Sequence, residues 1–143
     1  MDVGIIRADD RSAPFFAAAA RDVLLIKRCA GCDRWLDPGA TGCPGCGAAD
    51  PPWEEAAGRG RLISWAVLLA GQAEPTGQAE PTDPPDAPSV LALVELDEGP
   101  WLRTRLDGTG AAGTAGLRPG LPVTAHFVHP AEGESYPVFR PGE

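Results

Sequence analysis

Apolar residues fall in short, strand-like runs from residue 53 onward, and polar turn residues separate these runs. Five runs are predicted as strands, at residues 60–69, 90–97, 101–106, 121–129 and 136–139. The tripeptide Glu98-Gly99-Pro100 indicates the tight link of a hairpin between the second and third strands. Five strands in this length predict a small, partly open barrel of the OB type. An immunoglobulin-like sandwich would need about seven strands.

The first part of the chain has a different pattern. Pro14 opens an apolar run of two phenylalanines and four alanines, and proline suits the first turn of a helix because its missing N–H has no partner there. We therefore expect a helix that starts at Asp10 or Ser12 and ends near Asp22. Residues 23–28 are aliphatic and β-branched, which predicts a strand that leads into the first cysteine.

Glycine and proline are abundant, because 18 Gly and 16 Pro make up about a quarter of the 143 residues, roughly twice the usual share. Such a content approaches that of disordered chains. However, 43% of the residues are hydrophobic, which is enough to offset the ordering entropy of one small domain. Residues 71–88 contain the hexapeptide GQAEPT twice and no aliphatic residue larger than alanine, so we expect a flexible loop there.

Charge and apolar run length exclude further classes of protein. The 12 basic and 20 acidic residues give a net charge of −8, which repels phosphate backbones and argues against a nucleic acid partner. The apolar stretch at residues 13–20 is too short to cross a bilayer, and the acidic N-terminus lacks the basic start of a secretory signal. We expect a cytoplasmic protein with no membrane partner.

All four cysteines stand in two C-x-x-C pairs, Cys29 with Cys32 and Cys43 with Cys46. Each pair places two thiolates on one side of a tight turn, and two pairs can close a tetrahedron around Zn²⁺. Four thiolates leave no coordination position for water or substrate, which predicts a structural zinc. Two disulfides, a thioredoxin-like redox pair and an empty site are the less favoured alternatives.

Two pairs of arginines form a weaker candidate site. Arg59 and Arg61 flank a glycine at the start of the first barrel strand, and Arg103 and Arg105 lie on the third. Residues two apart on a strand share a face, so each pair presents two guanidiniums together. Such a face could bind the phosphates of a nucleotide-bearing ligand or an acidic partner. A solvated sheet face explains the same pattern slightly better.

The sequence contains no convincing catalytic constellation, and we expect no catalytic residue. Residues 108–113 match G-x-G-x-x-G, but their all-β surroundings predict a flexible loop rather than a dinucleotide site. His126 and His129 are three positions apart on one strand and therefore face opposite sides. Ser64 and Asp97 could join either histidine in a triad, yet no nucleophile elbow supports this.

Taken in order, the motifs resemble the zinc-ribbon/OB-fold family that accompanies acyl-CoA thiolases, a domain of unknown function with the number thirty-five. They are the aromatic N-terminal helix, the two cysteine pairs, GRGRLISW, ALVELDEGP, LRPGLPV and the terminal YPVFRP. The fold so identified is mainly β. It comprises a helix and lead-in strand at residues 1–28, a rubredoxin-like zinc ribbon at 29–57 and a five-stranded OB-fold barrel at 58–143.

The resemblance also implies a function. Members of this family are accessory, non-catalytic subunits that bind a thiolase-fold enzyme or an acyl-CoA hydratase or aldolase, and they support binding of the CoA thioester or stability of the complex. The four cysteines carry over individually as metal ligands. Asp33 departs from the family pattern, which usually has glycine after the first cysteine pair, and the loop at residues 71–88 is longer than usual.

Two other functions are weighed against this one. An OB-fold module for single-stranded nucleic acid needs a basic groove with stacking aromatics, whereas residues 58–143 hold six arginines against eleven acidic residues. An independent thioesterase would depend on His126 or Ser64.

Overall fold

The computed structural model describes residues 6–68, 89–108 and 114–142. One helix and eight strands follow one another as α1 (Ala13–Ala19), β1 (Leu25–Arg28), β2 (Trp35–Leu36), β3 (Trp53–Glu55), β4 (Arg59–Leu68), β5 (Ser89–Leu96), β6 (Trp101–Leu106), β7 (Pro122–Val128) and β8 (Tyr136–Pro141). The first three strands form a small antiparallel sheet in the order β2-β1-β3, and the other five close a barrel in the order β4-β5-β6-β8-β7. The mainly β fold with a five-stranded barrel is confirmed.

The five predicted strands are the five strands of the barrel, and their ends agree with the prediction to within two residues. Strands β2 and β3 were not predicted because they have only two and three residues. Both pair with β1, and this pairing defines them as strands: Lys27 of β1 lies opposite Leu36 on one side and Trp53 on the other. The repeat at residues 71–88 and most of the glycine motif at 108–113 lie outside the described residues.

The barrel core consists of side chains that alternate inward along each strand. The largest fully buried ones are Leu62, Val94, Leu96, Val123 and Phe139. The barrel closes through a single parallel pair, Leu106 with Phe139, next to which the Asp107 N–H donates to the Phe139 carbonyl at 2.8 Å. The barrel is therefore closed rather than partly open as the sequence predicted, although β6 and β8 share only this one pair.

Helix α1 ends at Ala19 rather than near Asp22. The N–H groups of Arg21 and Val23 both donate to the Ala18 carbonyl, at 2.8 and 3.0 Å. This pattern closes the helix with a turn, and Asp22 has a φ of 62° in the left-handed region, which a helix cannot continue.

Helix α1 joins the small sheet to the barrel. Phe15 packs against the barrel core and lies 6.4 Å from Trp53 of β3, measured between ring centroids. The Phe16 ring meets Phe15 edge-on at 5.2 Å. The small residues Ala18 and Ala19 are buried, so the last turn of the helix approaches its neighbours closely. Within the described part of the chain, no helix is long and apolar enough to cross a membrane.

Candidate metal centre and adjoining surfaces

The structure brings the four cysteines into one cluster, in which all Sγ atoms lie within 4.8 Å of one another. The Sγ of Cys29 is 3.4 Å from that of Cys46, and the Sγ of Cys32 is 3.6 Å from that of Cys43. All four cysteines are free thiols. A tetrahedral ion with metal–sulfur bonds of about 2.3 Å would separate its ligands by about 3.8 Å. These distances therefore suit four ligands of one metal ion.

The two C-x-x-C turns have matching backbone geometry. In the first, the N–H of Gly31 donates to Cys29 Sγ at 3.3 Å, and in the second the N–H of Gly45 donates to Cys43 Sγ at the same distance. The residue after each pair has a positive φ, 63° at Asp33 and 81° at Gly47. Aspartate tolerates this conformation less well than glycine. Asp33, which stands where the family usually has glycine, therefore keeps the same turn at a small cost in conformational free energy.

In the metal-free cluster, the pKa values of two thiols, those of Cys43 and Cys32, are shifted in opposite directions. The backbone N–H of Cys46, together with that of Gly45, lowers the pKa of Cys43 to about 6. The backbone N–H of Arg34 lowers the pKa of Cys32, but the hydrogen bond with Cys43, burial, and the contacts with Cys29 and Cys46 together outweigh it and raise the pKa to about 12. One sulfur is thus ready to bind a cation as thiolate while a neighbour holds a proton.

The segment around the cysteines has very little core of its own. Its buried cluster consists of Cys29, Cys43 and Leu36, with Ala40 and Ala48 packed against it. One further anchor is the Lys27 Nζ, which donates to the Ala40 carbonyl at 2.8 Å. Because two of the three buried residues are cysteines, a bound ion would occupy the centre of this cluster.

The candidate arginines are not gathered into one site. Arg59 pairs with the Asp97 carboxylate at 3.4 Å, and Arg105 pairs with Asp107 at 2.9 Å and lies over the Tyr136 ring. Arg61 lines a small pocket beside Arg59. Within the described residues, Arg103 forms no ion pair or hydrogen bond through its side chain. Two of the four guanidiniums are therefore already paired with carboxylates of this chain.

A large cleft, of about 630 Å³, lies where α1, the small sheet and β6 meet. Its walls carry the cations Arg11, Lys27 and Arg103 together with the rings of Trp53 and Trp101. Asp9 and Asp37 line it too, so its charge is mixed. The sequence analysis identified Arg103 as a candidate but did not predict the cleft itself, because residues far apart in the chain form its walls.

The residues considered for a triad are not brought together. Asp97 pairs with Arg59, Ser64 lies on the outer side of β4, and His126 is exposed on β7. His129 instead contacts two residues that the sequence did not indicate: its Nε2 lies 2.8 Å from Asp22 Oδ1, and its Nδ1 lies 2.8 Å from Ser135 Oγ.

The contact of His129 with Asp22 and Ser135 lies on the open surface. The His129 side chain is 46% exposed and that of Asp22 is 68% exposed. None of these three residues lines the large cleft or the small pocket beside Arg59. An acyl-transfer triad needs a buried carboxylate and a pocket for substrate, so this contact ties the end of α1 to the β7–β8 connection.

The fold and the cysteine cluster define a class of protein, in which a four-cysteine ribbon precedes an OB-fold barrel. The family model described as "ChsH2, C-terminal OB-fold domain" matches residues 53–128. The chain belongs to this ChsH2-type family of DUF35 proteins, which confirms the resemblance seen in the sequence.

Individual relatives agree with this assignment. A solved chain of the "Ltp2-ChsH2(DUF35) aldolase" is 34% identical, with a TM-score of 0.72, and the match covers 94% of this chain and 96% of that one. A DUF35 protein of unknown function from Sulfolobus solfataricus is 13% identical over 94% of this chain and 87% of its own, with a TM-score of 0.58, which shows a shared fold.

A longer relative is the "Probable enoyl-CoA hydratase alpha subunit" of Thermomonospora curvata. It is 35% identical over 131 residues, which are 91% of this chain and 37% of that protein. The chain thus spans little more than a third of the length of this curated relative.

Proposed function

We propose that this chain is a non-catalytic accessory subunit of an acyl-CoA-processing enzyme complex. The observation that carries the proposal is the match to a chain of the Ltp2-ChsH2(DUF35) aldolase, which covers nearly the whole of both chains. The similarity to a hydratase alpha subunit supports the same class of partner. The partner on this proposal is a thiolase-fold enzyme or an acyl-CoA hydratase or aldolase, in a cytoplasmic setting.

The geometry of the polar side chains favours a role without catalysis. The His129 contact with Asp22 and Ser135 is open to solvent, and the large cleft beside α1 and β6 is lined by cations, carboxylates and aromatic rings rather than by a nucleophile beside a base. Acyl transfer needs a nucleophile and a base within hydrogen-bond reach of a bound substrate. The chemistry is therefore assigned to the partner.

The structural ion of this subunit is assigned as Zn²⁺, with Cys29, Cys32, Cys43 and Cys46 as its ligands. The sulfur separations of 3.4 and 3.6 Å and the backbone N–H groups directed at Cys29 and Cys43 support a closed tetrahedral site. The ion supplies folding energy, about 10–16 kcal/mol in zinc-finger peptides. On this proposal residues 29–57 form the zinc ribbon, which follows residues 1–28 and precedes the barrel at 58–143.

A CoA thioester fits the large cleft better than the paired arginines. Arg11 and Lys27 offer positive charge for phosphate groups, and Trp101, which is 54% exposed, offers a ring face for stacking. Arg59 and Arg105 are less suited, because Asp97 and Asp107 already neutralise them.

Affinity purification of the full chain from its source organism tests the proposal. The expected result is recovery of a thiolase-fold, hydratase or aldolase protein in constant ratio to the chain, identified by mass spectrometry and stable through size-exclusion chromatography. A chain that elutes alone after purification at low and moderate salt would contradict the proposal.

The competing function is binding of single-stranded nucleic acid. Filter binding of a labelled oligonucleotide at low salt distinguishes the two functions, since electrostatic attraction is strongest there. We expect no retention, because acidic residues outnumber arginines in the barrel segment.

A further inference from the structure

The outer side of the barrel is unusually apolar where β4 and β5 pair. On β5 the residues at 90, 92, 94 and 96 are buried, so the intervening side chains of Leu91 and Leu93 point outward. Leu91 is 46% exposed, and Leu68 at the end of β4 is 43% exposed. The solvated face of an antiparallel sheet normally carries polar residues in these positions. The apolar outward residues therefore indicate that something covers this face.

These residues form one continuous surface with an arginine at its border. The pairing of β4 with β5 and of β5 with β6 places Ser64 opposite Leu93 and Leu93 opposite Arg103, with Ala66 opposite Leu91 in the next outward row. A shallow groove of about 530 Å³ follows the same residues. We name the surface formed by Ser64, Ala66, Leu68, Leu91, Leu93 and Arg103 the outer leucine face.

Arg103 is the one charged member of the outer leucine face. Within residues 6–68, 89–108 and 114–142, its guanidinium forms no ion pair and no hydrogen bond. The Glu95 carboxylate on the same side of β5 accepts a hydrogen bond from Trp101 Nε1 at 3.4 Å. An arginine beside apolar side chains is a typical energetic centre of a protein interface once a carboxylate pairs with it.

We propose that the outer leucine face is the surface on which the enzyme partner docks, through an apolar patch of the partner that carries a carboxylate for Arg103. This inference rests on the proposed function and adds to it the place of contact. A second copy of this chain is a poorer occupant, because a two-fold contact through this face would bring two Arg103 guanidiniums together, and the Glu95 carboxylate on this side already accepts a hydrogen bond from Trp101.

The test uses the enzyme subunit recovered in the purification described above and measures its affinity for variants of the full chain by biolayer interferometry. Arg103→Glu reverses the charge, and Leu91→Glu makes the centre of the face polar. Each is expected to weaken binding at least about tenfold, as for a truncated interface centre. Matched controls on other strands, Arg140→Glu on β8 and His126→Glu on β7, introduce the same residue at exposed positions and should bind within about twofold of the wild type.

Two further readouts separate a local loss from misfolding or from failure of the proposed function. All variants should retain metal content and unfolding temperature, because the changed side chains point to solvent. In the wild-type complex, amide exchange should slow at residues 89–94 and 101–105.

If the partner binds and both Arg103→Glu and Leu91→Glu retain its affinity, the docking inference is wrong while the accessory role stands. If no enzyme subunit binds the wild-type chain, both the docking inference and the accessory role are contradicted. Size-exclusion chromatography with light scattering gives the oligomeric state, and a dimer that Leu91→Glu dissociates would overturn the choice of occupant.

Discussion

The Sγ atoms of Cys29 and Cys46 lie 3.4 Å apart, although 17 positions separate these residues in the chain. They belong to different C-x-x-C turns, so their contact depends on the antiparallel approach of the two halves of the ribbon. The bridge between Gly42 and Ala49 and the hydrogen bond from Cys43 N–H to the Ala48 carbonyl hold only one of these halves in shape. On the zinc assignment proposed above, a shared ion would hold the two turns together, in addition to the pairing of β1 with β2 and β3.

Replacement of one ligand should release the metal. Cys43→Ser exchanges a buried thiolate that accepts two backbone N–H groups for a much weaker ligand. We expect bound zinc, measured by mass spectrometry under native conditions, to fall from one per chain to well below one, with a lower unfolding temperature. Ala30→Ser, an exposed change inside the first turn, is the control and should keep its zinc. Full occupancy in Cys43→Ser would contradict the four-cysteine assignment.

Metal uptake should also release protons. With the pKa of Cys32 raised to about 12, this sulfur holds a proton in the metal-free chain at pH 7, while Cys43, with a pKa near 6, is mostly thiolate. A metal ligand must be deprotonated, so binding displaces the proton from Cys32. An indicator dye in weakly buffered solution should record at least about one proton per zinc ion bound, and no release on addition of zinc would argue against thiolate ligation.

The barrel tolerates no side chain at Gly60. A Cβ built at this position would collide with the Glu95 carbonyl oxygen on the paired strand β5. Gly60→Ala should therefore force β4 and β5 apart and lower the free energy of unfolding by about 1–3 kcal/mol, as overpacking of a core does. Chemical denaturation measures the change.

A matched change for Gly60→Ala is Gly116→Ala, where nothing lies within 4 Å of the added atom. It should leave the denaturation midpoint close to that of the wild type. Equal midpoints for the two variants would show that the strand separation at Gly60 is not as close as described.

The surface contact of His129 tests the absence of catalysis in this chain. His129→Ala and Ser135→Ala remove the two groups that most resemble a base and a nucleophile. If the contact only ties α1 to the β7–β8 connection, kcat of the assembled enzyme complex should stay within about twofold for both variants. A loss of a hundredfold or more with the complex intact would assign chemistry to this chain.

Local patterns predicted much of this molecule. The five barrel strands were found because each has its own run of apolar residues, and Gly99 lies in the predicted hairpin with a φ of 118°. The cysteine cluster was predicted for the same reason, since ligand spacing within each turn is a local property. The leucines at 91 and 93 were visible as a run without polar alternation, which is the signal for a strand covered on both faces.

Other features depend on contacts that no local pattern marks. Strand β3 pairs with β1 through Trp53 and Lys27, which are far apart in the chain. Asp22 meets His129 across 107 positions. The end of α1 was missed because alanine continues a helix by propensity, whereas the turn at residues 20–22 is set by packing of the helix against the sheet.

The central claim, an accessory subunit that does no chemistry alone, is tested most directly by acyl-CoA turnover in three samples. These are the purified chain, the purified enzyme partner and the reconstituted complex at equal active-site concentration. We predict no turnover above background for the chain, and for the complex a higher kcat/KM or a longer active lifetime than for the partner alone. Turnover by the isolated chain, or a partner whose rate and lifetime are unchanged by it, would contradict the account.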